Sequence, residues 1–437
     1  MKESRFNIIK KIGSKGYIFN TFSGALAKIN EKFFYLLDFC AGGNDIRLLS
    51  EEDQILLNNM KEAGFVLEDT IDEVEKLQTL HEFQRQDRRS LSFTIAPTLK
   101  CNFSCKYCFE QHTQSIMNEE TQEAIVRFLV NEVNNETQEI SITWFGGEPL
   151  LEKKVIDSIS TQVIHFCNKN KIKYKSGIIT NGYLADMDTL ELFKKIKVDF
   201  AQITIDGTKE SHNSRRIPKG YAYYNTYDKI IDNINLLLRN NIKVGIRINI
   251  DKQNLLYVRD AISELALKLE NKQDVFINIS YVTISDDSEK IEYATNCLTK
   301  EDFAESKINS LILLNNLGFH ESVKRNYPTV KFSYCGALGE SMYVIDPDGN
   351  IYRCWEDIGH LQYKIGDVYK GVSFNLNCKQ KWKNYSPFNN EKCRNCTFLP
   401  ICAGGCPRQS VHFNNTKICE TEKHIISKII NFYFNLY

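Results

Sequence analysis

From about residue 90 the apolar positions of this chain recur in two alternating periods. Leu91, Phe93 and Ile95 alternate with polar residues, the pattern of a strand with one buried face. Asn118, followed by Glu119 and Glu120, then opens a helix whose buried stripe is Ile125, Phe128, Leu129 and Val133. A second apolar strand, Ile140 to Phe145, leads into a second stripe of Val155, Ile159, Val163 and Phe166. Further strands are predicted near 174–180, 200–205, 244–250 and 275–282, with helices near 228–240, 255–269 and 301–316. Alternating strands and helices make an α/β fold, and six such units predict a partial (β/α)6 barrel of the TIM type. An incomplete barrel leaves a lateral opening through which a large substrate such as a peptide could enter.

Ahead of this repeat the pattern differs. Tyr17-Ile18-Phe19 reads as a strand, Asn20 to Gly24 as a turn, and Glu31 to Phe39 as a short helix. Ser50-Glu51-Glu52-Asp53 opens another helix carrying Ile55, Leu56 and Met60, Gly64 stops it, and Phe65 to Leu67 reads as a wing-like strand. The chain is therefore expected to hold a small winged-helix-like module over 1–85, with His81 to Arg89 as a polar linker. The barrel then covers 90–320, a cysteine-rich domain 325–420, and a C-terminal helix 421–437. That helix, with Ile425, Ile426, Ile429 and Phe432, is expected to pack back on the barrel.

Composition narrows the function. Net charge is zero over 437 residues, so there is no electrostatic case for nucleic acid or an anionic membrane. No apolar run approaches the roughly 20 residues of a membrane span, and no apolar signal core follows Met1 to Arg5. A cytoplasmic setting is expected, in which the 14 cysteines stay reduced and serve as metal ligands rather than disulfides. Cys40, Cys167 and Cys297 stand alone and read as small core residues.

The chemistry centres on Lys100 to Glu110, where Cys101, Cys105 and Cys108 follow C-x-x-x-C-x-x-C spacing. Such a loop gathers three thiolates round one soft metal centre, although half a zinc site has the same look. Three ligands where four are usual leave an iron open to a cofactor or substrate. Gly146-Gly147-Glu148-Pro149 follows the second strand, and Thr180-Asn181 and Thr204-Ile205-Asp206-Gly207 follow later ones, at the strand ends where barrel active sites are built. In this order the landmarks resemble the radical S-adenosylmethionine (SAM) enzymes. The resemblance implies that Gly146, Gly147, Glu148 and Pro149 form the loop that takes the methionine amino group. It also implies that Tyr107 lies near adenine, and that Thr180, Asn181, Thr204 and Asp206 face the cofactor. Arg247 and Asn249 alternate with Ile246 and Ile248 and should point into the barrel, where the arginine would meet the methionine carboxylate. The run Asp206 to Arg216 resembles a segment of peptide-modifying members, with His212 in a positioning role.

Beyond residue 330 lie Cys335, Cys354, Cys378, Cys393, Cys396, Cys402, Cys406 and Cys419. This series resembles the SPASM extension, which carries two auxiliary 4Fe-4S clusters; a zinc ribbon is the alternative. The resemblance assigns Cys393, Cys396, Cys402 and Cys419 to an outer cluster and Cys335, Cys354 and Cys406 to an inner one. Gly336 to Met342 lacks the further cysteine of fully ligated members, so either Cys378 supplies it or the inner cluster keeps an open iron. Trp355 stands where sulfatase-maturating members have an aspartate, which leaves Glu356 and Asp357 as candidate catalytic proton acceptors.

What the resemblance implies is a three-cluster SAM enzyme that abstracts hydrogen from a ribosomally made precursor peptide. The 1–85 module would bind the leader as an added strand, a flavodoxin- or ferredoxin-type protein would supply electrons, and the product would be a cysteine thioether. Carbon–carbon cross-linking and protein side-chain oxidation are the rival chemistries. A non-catalytic metal-binding peptide adaptor is the rival of another class.

Overall fold

The structure is a computed structural model and describes residues 1–220, 225–284, 291–333, 335–372, 376–413 and 421–436. The chain forms two compact units: Met1–Gln86 with Tyr327–Gly339 and Asn384–Tyr437, and Asp87–Asn326 with Glu340–Lys383.

In the first unit, β1 (Lys2–Glu3) pairs antiparallel with β5 (Val66–Leu67). β2 (Asn7–Ile12), β3 (Lys15–Asn20) and β4 (Leu26–Ile29) form an antiparallel meander with β4 at one edge. Helices α1 (Glu31–Ala41) and α2 (Glu51–Glu62) start where Asn30 and Ser50 accept the orphan N–H groups of Phe33 and Asp53. Gly64, at φ +81°, makes the left-handed turn into β5. Ile18, Leu36, Leu37, Leu57, Met60 and Phe65 fill the core between sheet and helices. The strand, helices and wing thus lie where the pattern of apolar positions puts them.

Two expectations fail in this unit. Most of the stretch read as a polar linker, His81 to Gln86, is instead the end of a helix, α3 (Glu73–Gln86), in which His81 and Arg85 are buried; only Asp87 to Arg89 lie outside it. Polar residues are stable there because distant backbone satisfies them: His81 Nδ1 meets the Phe332 carbonyl, and Arg85 Nη1 donates to the Tyr385 carbonyl at 2.8 Å. The C-terminal helix Thr421–Leu436 does not follow its expected placement either. Its Ile426 and Ile430 pack with Tyr17 and Phe19 of β3, so it completes the N-terminal sheet; the side chain of Ile425 lies outside the described residues.

The second unit carries the barrel. β6 (Ser90–Ile95), β7 (Glu139–Trp144), β8 (Lys173–Thr180), β9 (Val198–Thr204), β10 (Lys243–Ile250) and β11 (Val275–Tyr281) run parallel, each paired with the next. The sheet stays open because β6 pairs not with β11 but with β12 (Met342–Ile345), which continues through the hairpin partner β13 (Asn350–Tyr352) to β14 (Gly366–Asp367). At the N-terminal end of the strands Phe200 and Phe276 stack at 5.6 Å. Gly245 lies between them, where a Cβ would come within 2.6 Å of one ring and 2.8 Å of the other. Arg325 covers Phe276 at 4.0 Å. That end is filled by aromatic rings, which leaves the C-terminal strand ends for chemistry. No helix among the described residues is long and apolar enough to cross a membrane.

Candidate active site and metal centres

The loop after β6 holds Cys101, Cys105 and Cys108. It is fixed on both flanks: Ser104 N–H donates to the Ile217 carbonyl (2.8 Å), Lys219 N–H donates to that of Asn102 (2.8 Å), and Asn102 Oδ1 accepts from Asn181 Nδ2 (2.7 Å). Burial, then the Glu148 carboxylate, pushes the Cys101 thiol up to about 12, and Cys108 is pushed up by burial, Glu110 and Cys105. Cys101 feels Cys105, and Cys108 feels both, so the three thiols share one poorly solvated loop.

Gly146 and Gly147 permit a close backbone approach. A Cβ on Gly146, at φ +108°, would lie 2.5 Å from the Thr98 carbonyl oxygen, and one on Gly147 would lie 2.2 Å from that of Lys100. The glycines let this loop pass directly under the cysteine loop, where Glu148 N–H bonds the Lys100 carbonyl at 2.8 Å. Pro149 then starts a short 3-10 turn.

Glu148 is fully buried. Its Oε1 accepts from Thr180 Oγ1 (2.7 Å) and Leu150 N–H (3.0 Å), and its Oε2 from Asn181 N–H (2.8 Å). Burial raises its pKa and these three donors oppose the rise. A carboxylate has about four acceptor sites, so one remains for an outside cation such as an ammonium. Nearby Glu110, which the sequence reading left without a role, is pushed up to about 8 by burial and by Glu148.

A second buried cluster joins the ends of β9 and β10. Tyr107 donates its hydroxyl to Asp206 Oδ2 and accepts from Arg216 Nη1 at 3.0 Å, while the Arg215 guanidinium covers its ring at 5.0 Å. Asp206 also accepts from Asn249 N–H (3.3 Å) and lies 3.7 Å from Arg216 and 4.0 Å from Arg215. Arg215 grips Asp251 with Nη1 at 3.0 Å and Nη2 at 2.9 Å. Arg247 Nε donates to Asn249 Oδ1 (2.8 Å), and Thr204 sits opposite Arg247 in the strand register. Arg215, Arg216 and Asp251 are the residues that sequence reasoning missed; the paired arginines at the end of the quoted run were the available signal.

His212 accepts the Asp206 N–H on Nδ1 (3.3 Å), a positioning contact. Burial, then Arg216 and Arg215, holds its pKa well below 6.5, so the ring is neutral in the fold. The unfolded chain takes up a proton below about pH 6.5 that the native state refuses. His212 therefore costs nothing above that pH, and stability is lost as pH falls below it, by about 1.4 kcal/mol per pH unit. Urea unfolding at pH 7.5 and 5.5 is expected to show this loss in the wild type and less of it in His212→Gln.

After β13, Trp355 stacks on Phe145 at 5.7 Å, and the Glu356 carboxylate acts on the Arg247 guanidinium. Glu356 thus belongs to the barrel mouth. Asp357 is fully buried, bonds the Cys354 carbonyl through its N–H (3.1 Å) and acts on Cys378, whose thiol burial pushes up to about 11. The Cys378 sulfur donates to the Tyr363 carbonyl at 3.4 Å.

In the other unit, Cys393, Cys402 and Cys406 all act on the Tyr385 hydroxyl, which burial and these sulfurs push up. Cys396 N–H bonds the Cys393 carbonyl (2.9 Å), and Cys335 accepts from Ser333 Oγ (2.9 Å). Cys402 to Cys406 bend through three successive left-handed residues, Ala403, Gly404 and Gly405 (φ +47°, +84° and +78°). Such turns form the backbone concavities found at iron–sulfur sites. Cys419 lies outside the described residues. Among the described residues, no three His, Cys, Asp or Glu side chains gather as for a single ion. A cluster spreads its ligand sulfurs over several corners. The donor sets therefore fit iron–sulfur clusters by chemistry, as soft thiolates in poorly solvated loops.

The family model of the radical SAM superfamily matches residues 95–265, from the cysteine loop through β10. Residues 95–265 of this chain are a radical SAM domain. This radical SAM enzyme is 27% identical over 383 residues to a cysteine-type anaerobic sulfatase-maturating enzyme of Clostridium novyi, covering 78% of this chain and 96% of that one. It is 23% identical over 480 residues to the radical SAM cyclopropyl synthase TigE of Paramaledivibacter caminithermalis, covering 97% and 94%. Its fold matches Streptococcus suis SuiB bound to precursor peptide SuiA, with TM-score 0.52, 15% identity and coverage of 93% and 95%. SAM and a 4Fe-4S cluster are accordingly the cofactors of this enzyme.

Proposed function

We propose that this radical SAM enzyme matures a ribosomally made precursor peptide, joining a cysteine sulfur to a substrate carbon as a thioether. The observation that carries this reading is the free edge of β4. Beside it lies a hollow of about 670 Å³ lined by Leu26, Ala27, Lys28, Tyr327 and Phe434, which offers unpaired backbone and an apolar bed to an extended leader. That SuiB is seen bound to precursor peptide SuiA supports a peptide substrate here.

In this reading Cys101, Cys105 and Cys108 hold the SAM cluster, and Glu148 takes the methionine ammonium on its remaining acceptor site. Thr180 and Asn181 fix that carboxylate. Arg247 and Asn249 line the mouth beside Thr204 and Asp206, and the Tyr107 network fixes the end of β9. Cys393, Cys396, Cys402 and Cys419 hold an outer auxiliary cluster, and Cys335, Cys354 and Cys406 an inner one. Either Cys378 supplies its fourth ligand, or one iron stays open there to a substrate cysteine thiolate. Bound there, SAM and the clusters accept one hydrogen atom and one electron, and these with a proton are what joining C–H to S–H releases. Glu356, which acts on Arg247, takes the thiol proton in this reading. A flavodoxin- or ferredoxin-type donor in a reducing cytoplasm completes the cycle.

The test uses a short cysteine-containing precursor peptide, sought among the open reading frames beside the gene. Anaerobic turnover is expected to remove the mass of two hydrogens and to fail with a Cys→Ser peptide; modification of that peptide would instead mean carbon–carbon bonding. Phe434→Ala is expected to weaken peptide binding about tenfold, about 1.4 kcal/mol, without changing peptide-independent SAM cleavage. Unmodified peptide with full SAM cleavage would sink the reading.

A further inference from the structure

The Cys393-x-x-Cys396 loop is held from outside by the first residues of the chain. Thr21, fully buried, donates its hydroxyl to the Thr397 carbonyl at 2.6 Å, directly after Cys396, and its N–H to the Phe6 carbonyl at 3.0 Å. Arg5 reaches the Arg394 carbonyl (3.2 Å) and Asn395 Oδ1 (3.5 Å), the two residues between the cysteines. Phe6, Val74 and Leu77 pack with Phe388 and Leu399, and Cys393 lies against this cluster. Helix α3 adds the Arg85 bond to the Tyr385 carbonyl and the edge contact of His81 with Phe388 at 5.5 Å. Apart from the Thr21–Phe6 bond, each of these is a contact of the N-terminal module with the loop itself or with the residues leading into and out of it.

Ligand loops keep their geometry through such outer contacts, and their loss commonly costs metal affinity 10- to 100-fold. We propose that Thr21 and Arg5 are positioning residues for the outer auxiliary cluster, so that cluster loading and the state of the peptide-binding module depend on each other. The inference rests on the three-cluster reading above. Thr21 acts through the backbone, since a bonded Thr397 carbonyl fixes where Cys396 points. Arg5 acts also through charge: a cation beside the loop favours the more negative, reduced cluster.

The experiment uses the full chain, reconstituted without oxygen, as wild type, Thr21→Val, Thr21→Ser and Arg5→Gln. Iron and sulfide are measured together with a redox titration followed by electron paramagnetic resonance. Wild type and Thr21→Ser are expected to hold about 12 iron per chain and Thr21→Val about 8, counting four per cluster. The SAM-induced change in the signal of the Cys101/Cys105/Cys108 cluster stays in all of them and reports a folded barrel. Arg5→Gln keeps its iron, but its outer-cluster midpoint shifts negative. Wild-type iron and signals in Thr21→Val, equal loss in Thr21→Ser, or an unmoved midpoint in Arg5→Gln would overturn the proposal. A wild type with no iron beyond the about four of the SAM cluster would instead bring down the three-cluster reading, whatever Thr21 does.

Discussion

Changing Cys101, Cys105 and Cys108 together to alanine is expected to abolish cleavage of SAM to 5'-deoxyadenosine and to lower iron from about 12 to about 8 per chain. The three thiols share one poorly solvated loop. Their backbone frame rests on Ser104, Lys219 and Asn102, none of which is touched, so the fold should survive. Iron and sulfide analysis beside SAM turnover checks this. A variant that keeps 5'-deoxyadenosine formation would remove the site from this loop.

Asp206→Ala is expected to lower stability by about 3–5 kcal/mol, because it strands charge in a buried place. Asp206 is fully buried, accepts from Tyr107 and the Asn249 N–H, and is the carboxylate nearest Arg216, which acts on it from 3.7 Å. Removing it leaves a buried guanidinium bonded only to a phenol among the described residues. Breaking one side of such a pair costs far more than removing both sides. Asp206→Ala with Arg216→Met should therefore be more stable than Asp206→Ala alone, and the cycle of four proteins should show a coupling above about 1 kcal/mol. Denaturant midpoints measure it; additive effects would mean that the two groups do not interact.

How much was legible follows from how local each signal is. The cysteine loop, the Gly-Gly-Glu-Pro loop and the strand ends at Thr180 and Asp206 are short runs whose chemistry shows in their own spacing. The partners that give them meaning are not local. Arg216 reaches Tyr107 across 109 residues and Arg215 reaches Asp251 across 36, and nothing in either neighbourhood announces the pairing. Helix α3 hid for the opposite reason. Its second half is polar, and polar residues read as solvated unless the carbonyls that bury them are known, here those of Phe332 and Tyr385.

Taken alone, the sequence determined the alternation of strand and helix, the order of the barrel landmarks and the soft-ligand chemistry of the cysteines, because periodicity and donor type belong to residues themselves. The tertiary structure decided which groups meet. It set Gly146 and Gly147 against the cysteine loop, spent three of Glu148's acceptor sites on protein donors, and gave the C-terminal helix to the N-terminal sheet. Those outcomes depend on distances between segments far apart in the chain, and such distances are fixed only when burial and hydrogen bonding are satisfied everywhere at once.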